Sequence, residues 1–241
     1  MQIRTLLSVV VLVLVTATPS AVADEKLDAV EKEIIKKWQD VKSMTGKMTM
    51  NSEMAQGNMT MKSSMTAVIE YLRHDGKMLS RLEGETEMVQ KMGETDQKFA
   101  MPMLAISDGE ISHTLMERMG QKMCIKAKAE AQATVGAAMF KALREQYDLE
   151  LAEDEGLDGD KCWVIEATPK TAGRPGEPGK VTFYIRQKDG ATVQMLGFDA
   201  ADTKVMTAKF SDIKFNEKLD PKRFEFKVPE GVQVMDMTNR P

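Results

Sequence analysis

Histidine and cysteine are scarce in this chain, at two residues each, and aromatic side chains make up only 5% of it. Each shortage excludes something. His74 and His113 have no matching Ser or Cys motif, and no G-x-S-x-G, H-E-x-x-H or phosphate-loop pattern occurs. The separations from His113 to Cys124 and from Cys124 to Cys162 match no zinc-ligand pair. Carboxylates are plentiful, but they fall in turns and on the polar side of alternating segments, where water solvates them. The sequence reads as non-enzymatic, with no catalytic residue and no cofactor. Dense basic runs are also missing, and with a net charge of -4 and a pI near 5.5 nucleic acid is not an expected partner.

Long apolar runs are lacking too. The run at 6–15, interrupted by Ser8, is far short of the roughly 20 residues of a spanning helix. It follows Arg4, is broken by Pro19 and precedes Ala21-Val22-Ala23, the small-x-small pattern that signal peptidase reads. Residues 1–23 are therefore expected to be a cleaved signal peptide, and 24–241 a single periplasmic domain. No cysteine follows the cleavage site, so a soluble, unlipidated mature chain is expected. In an oxidising compartment the even cysteine count suggests a Cys124–Cys162 disulfide. Such a bond would contribute about 4 kcal/mol on the chain-entropy model. Two buried free thiols are the alternative.

What the chain has in excess is methionine: 21, against 8 Phe, 3 Tyr and 2 Trp. Leu27, Val30, Ile34, Trp38 and Val41 form one stripe of an opening helix, with a cap at Asp28–Glu31 or Asp24 and an end at Gly46. Two-residue periods follow. Met48, Met50 and Met54 share one face of a strand, and Met59, Met61, Met65, Ala67, Ile69 and Tyr71 one face of the next. Asp-Gly turns at 75–76, 108–109 and 189–190 punctuate further strands, among them short ones at 87–91 and 97–101. An Ala-rich stretch at 126–147 reads as a second helix carrying Met139 and Phe140. The last third reads as strands, with a bulge near Ser211-Asp212 where the apolar phase slips. The methionine cluster admits three readings: gap-filling core, an adaptable apolar cavity, or a soft-metal site for Cu(I).

The C-terminal residues carry a resemblance. Phe210-Ser-Asp-Ile-Lys-Phe-Asn216, Leu219-Asp-Pro and Phe224-Glu-Phe-Lys-Val-Pro-Glu-Gly231 resemble the closing strands of the outer-membrane lipoprotein-sorting carriers, the LolA-like proteins. Ile106-Ser-Asp-Gly-Glu110 resembles that family's strand-turn-strand hairpin. The resemblance implies an α+β fold: a strongly curved open antiparallel sheet, a half-barrel, with helices over its concave face. It implies a periplasmic carrier holding the acyl chains of lipids or lipoproteins, for transfer toward the outer membrane. Inner- and outer-membrane transfer proteins would be its partners. A strand arginine, Arg73 or Arg81, would latch the helical lid. The expected lining is Trp38, Val41, Met48, Met50, Met59, Met61, Met65, Ile69, Met139 and Phe140. A lipid-sensing regulator of the same fold is the alternative, beside the Cu(I)-binding protein.

Overall fold

The computed structural model describes residues 19–238, except 57–58, 93–94, 119, 130–135 and 172–176. The apolar run of the expected signal peptide lies outside the described residues. The opening helix α1 (Pro19–Gln39) leads into six strands joined as successive antiparallel hairpins. These are β1 (Ser43–Gln56), β2 (Met59–His74), β3 (Lys77–Met92), β4 (Thr95–Ser107), β5 (Ile111–Arg118) and β6 (Gln121–Lys128). Next come α2 (Gly136–Gln146), β7 (Tyr147–Leu151), β8 (Glu155–Leu157), β9 (Asp160–Pro169), β10 (Lys180–Arg186), β11 (Thr192–Phe198) and β12 (Lys204–Phe215). A 3-10 turn at Pro221–Phe224 precedes the last strand, β13 (Gln233–Asp236). All thirteen strands join one open, curved sheet in the order β13-β6-β5-β4-β3-β2-β1-β12-β11-β10-β9-β7, with β8 beside β9. Pairing is antiparallel except for β13, which runs parallel to β6.

Helix α1 lies on one face of this sheet because its stripe is apolar. Leu27, Ile34 and Trp38 are buried against Met44, Ile69, Ile165, Phe183 and Ile185. The Trp38 indole N–H donates to the Gly190 carbonyl at 2.9 Å, and its ring meets Phe215 edge-on at 5.4 Å. Gly190 has a φ of 73°, and a Cβ there would stand 3.3 Å from Trp38 Nε1, so the turn requires glycine twice over. The helix ends at Gln39, not at Gly46, which sits inside β1 opposite Ile69. Asp28 and Glu31 are interior to the helix and cap nothing. They receive Arg144 of α2 instead, at 2.6 and 2.8 Å, which ties the two helices together.

Several strands are longer than their patterns suggest. Residues 87–91 continue the strand that begins at Lys77, through Gly84, which faces Ala67. Residues 97–101 run on through Pro102 into 104–107. Pro102 fits there because β5 pairs with β4 only from Met103 onward, so no partner on that side asks for its missing N–H. The second helix is shorter than its Ala-rich stretch, since 126–128 belong to β6 and Tyr147 to β7. The bulge is where the phase slips: Asp212 has a φ of 52°, and the β1–β12 register shifts between Thr45 and Lys47. Asn216, at φ 60°, closes β12 by accepting from the Lys42 amide at 2.8 Å.

From β12 the chain crosses the other face of the sheet as a strap. Arg223 donates to both carboxylate oxygens of the buried Glu70 at 2.8 and 3.1 Å, and Phe224 is buried. Phe226 stacks on His113 with centroids 4.9 Å apart. Asp236 then accepts from the Thr238 hydroxyl and amide and from Lys126, which hold its carboxyl at about 2.

The expected disulfide is absent. Cys124 and Cys162 are free and fully buried, on β6 and β9, with most of the sheet between them. Burial pushes both thiols up in pKa. Under native, non-reducing conditions neither cysteine should react with iodoacetamide, and both should react after denaturation. A mass two hydrogens short before reduction would contradict this.

Burial beneath the strap, with Lys126 nearby, lowers the His113 pKa below its ordinary value of 6.5 against the opposing pull of Asp108 and Asp236. The unfolded chain therefore takes up this proton first as pH falls. Stability present above pH 6.5 should be lost between that value and the lower folded one. Replacing His113 by Gln should flatten the Tm against pH curve between about pH 7.5 and 5.5. An unchanged slope in differential scanning fluorimetry would refute it.

Candidate functional site

Residues opposite one another in a ladder share a face of the sheet. Met50 faces Met65, Met54 faces Met61, and Met48 faces Ala67. The same face continues through Met88 on β3, Met101 and Met103 on β4, Met116 on β5 and Met123 on β6. In the other direction it runs through Phe210, Ala208 and Met206 on β12, then Met195 on β11. Every methionine whose side chain is described in a strand falls on this one face. It is the face that α1 and α2 cover at one end, where Met44 and Ile69 meet Trp38.

The charge pattern is as uneven. From Met44 to Met54, Met59 to Tyr71, Met78 to Gln90 and Gln97 to Ser107, the methionine face carries no charged side chain. Lys47, Glu53, Lys62, Glu70, Arg81, Glu83, Glu85 and Glu87 all point the other way. Ser52 and Ser63 satisfy each other at 2.8 Å, and Gln90 Nε2 donates to the Met59 sulfur at 3.2 Å. A hollow of about 320 Å³ also exists, but its lining includes Glu53, Lys62 and Glu87 of the charged face.

Burial along the methionine face is graded. Met44, in the core with the helices, and Met65 are each 6% exposed. Met48, Met50, Met59 and Met61 are half-buried, and Met54, at the hairpin's far end, is 37% exposed. Of the residues expected to form a lining, Trp38, Ile69, Met139 and Phe140 are in the packed core under the helices, with Met65 also buried. Val41 and Met48 pack against that core, while Met50, Met59 and Met61 extend beyond it along the sheet.

The two candidate latch arginines separate cleanly. Arg81 is on the charged face, 2.7 Å from Glu83 and 3.6 Å from Glu70, so it cannot reach the helices. Arg73 is on the helix side, with Nη1 3.5 Å from the Gln39 carbonyl at the end of α1. The stronger tie between helices is Arg144, which sequence reading passed over. An arginine in an Ala-rich helix carries no mark of its partner until Asp28 and Glu31 are placed beside it. His74, His113, Cys124 and Cys162 are all on the charged face, so none can join the methionines as a ligand. Among the described residues no cluster of His, Cys, Asp and Glu suited to a metal occurs.

The described residues form an open, curved antiparallel sheet with two helices on one face, the architecture that the C-terminal resemblance implied. A family described only as an uncharacterized protein matches residues 116–228, just under half of the chain. An uncharacterized protein of Methanocaldococcus jannaschii is 26% identical over 171 residues, covering 67% of this chain. The chain spans 48% of that relative's length. An uncharacterized conserved protein from Thermus thermophilus shares the fold, with a TM-score of 0.52 and 15% identity, over 89% of this chain and 99% of that one. More distant likenesses include the Pseudomonas aeruginosa MucA/MucB complex, with a TM-score of 0.48 and 13% identity, covering 85% of this chain and 61% of that one. A LolA superfamily protein from Nitrosomonas europaea has a TM-score of 0.35 and 11% identity, covering 83% and 97%.

Small residues let two strands of the methionine face approach closely. A Cβ on Gly84 would lie 2.2 Å from the Thr66 carbonyl and 2.6 Å from the Ala67 Cβ. The strands therefore approach more closely there than any side chain permits. Gly84→Ala should lower the urea midpoint by an amount corresponding to about 1–3 kcal/mol. The exposed, unconstrained Gly156, changed to Ala, should leave it within about 0.5 kcal/mol. Equal midpoints for the two variants would remove Gly84 from this role.

Proposed function

We propose that this chain is an exported, periplasmic carrier that holds the acyl chains of lipids or lipoproteins against its methionine face and passes them on toward the outer membrane. The observation behind the reading is the methionine-rich face from β1 to β4, whose one charged side chain among the described residues is Arg73 at the helix end and which is half-exposed beyond the helices. Apolar area that meets water without a partner costs free energy, so an uncharged and elongated occupant fits it best. Burying an acyl chain of about 16 carbons is worth on the order of 12 kcal/mol. A carrier must also let go. Unbranched thioethers re-pack around chains of different shape, and the helices joined by Arg144 can offset part of the gain by opening. The lining proposed is Val41, Met48, Met50, Met59, Met61 and Met65, with Trp38, Ile69, Met139 and Phe140 as its floor under the helices.

A Cu(I) site would have to be built from thioethers alone, since each His and Cys is on the opposite face. Substitution separates the two readings. With Met48, Met50, Met59 and Met61 all changed to Leu, binding of a fluorescent fatty acid should persist, because such swaps cost under about 1.5 kcal/mol. Met50→Lys with Met61→Glu should abolish it, because each charge would be desolvated in an apolar contact. If the wild type binds no probe but withholds Cu(I) from a chromogenic chelator, and the four-leucine protein does not, the carrier reading is wrong.

A further inference from the structure

We propose that the methionine face is also a site of reversible oxidation, at which a peroxide-class or hypohalous oxidant converts solvent-reached thioethers to sulfoxides and so releases the apolar ligand. The second half of this rests on the carrier reading; the first rests on geometry alone. Oxidants must reach sulfur, and on this face the reach is graded from 37% exposure at Met54 to 6% at Met44 and Met65. On β13, Met235 faces Ile125 and is 44% exposed. The chain's other soft nucleophiles do not compete. Both thiols are fully buried on the charged face and pushed toward the protonated form by burial.

The chemistry balances with peroxide as the named co-reactant. The thioether sulfur attacks one peroxide oxygen, the O–O bond breaks and an S–O bond forms. Sulfur gives up two electrons, and the other oxygen leaves as water after a proton shift. A reductase drawing two electrons from a dithiol reverses the change and releases that oxygen as water. The product matters here more than at an ordinary surface methionine. Met54 lies opposite Met61 and Met50 opposite Met65, so each sulfoxide sets a strong dipole into a surface that has no charge to meet it. The neutral side chains beside them are already engaged in part, Ser52 with Ser63 and Gln90 with Met59, and none carries a charge. A polarised face rejects an acyl chain as a charged substitution would.

The test treats the full-length protein with graded hydrogen peroxide and reads two things: peptide-mapping mass spectrometry, and affinity for a fluorescent fatty acid. Met54 and Met235 should oxidise well ahead of Met44 and Met65. Probe affinity should fall about tenfold as the exposed set is consumed. Methionine sulfoxide reductase with dithiothreitol should restore it. The triple variant Met54→Leu, Met59→Leu, Met61→Leu should keep most of its probe through the same treatment. Uniform oxidation across exposed and buried positions, undiminished affinity in oxidised wild type, or loss of the strand signal in circular dichroism at the same dose would overturn the inference. Untreated protein that binds no probe would defeat the carrier reading instead, and the order of oxidation would still judge the site.

Discussion

A strand sends successive side chains to opposite faces, and here the alternation holds through the long strands β1 to β4 with Arg73, at the helix end, the one charged residue described on one side. That constraint governs the rest. Because nearly all the charge of these strands lies on one face, water solvates that face, and the C-terminal strap can dock on it through Glu70 and Arg223. Because the other face is apolar, α1 must lie on it, and Trp38 fixes where through the Gly190 carbonyl. The helices are too short to cover strands of 14 to 16 residues, so a half-buried apolar strip is left over. Core and candidate binding surface are therefore one continuous face, distinguished only by what lies above them.

Methionine suits a surface with these two duties. Near the helices it fills the spaces between Trp38, Ile69 and Phe140 as any large apolar residue would. Farther along, the same side chain remains flexible where no neighbour fixes its rotamer. Aromatic rings in those positions would bring more area per residue, but in a fixed shape. Small residues complete the design: Gly84 against Ala67 lets the backbones approach, and the sheet can bend without the large side chains colliding.

Much of the architecture was legible in the chain. The two-residue period marked the Met face, the Asp-Gly pairs marked three hairpin turns, and the phase slip at Ser211-Asp212 marked the bulge. What was not legible depended on tertiary context. Gly84 and Pro102 look like strand ends, yet they are tolerated inside strands because of what stands opposite or fails to stand opposite them. Asp28 and Glu31 look like a helix cap, and only the position of Arg144 reveals their partner. The cysteine count suggested a bond, but a count carries no information on separation, and strand order put the thiols far apart. For the candidate site, the methionines of β1 and β2 were readable from one hairpin. Those of β3 to β6, β11 and β12 could join them only once the register was known.

The stretch of β4 that β5 leaves unpaired, 95–102, bears on how these molecules behave at high concentration. An open sheet invites another chain to add a strand, and long strands ending in free amides and carbonyls are templates for such growth. Here the free rim carries Asp96, Lys98 and Pro102, two charges and a residue that cannot donate. The outermost strands, β13 and β7, are only four and five residues long. A chain with a half-exposed apolar face thereby denies its own copies a rim on which to polymerise.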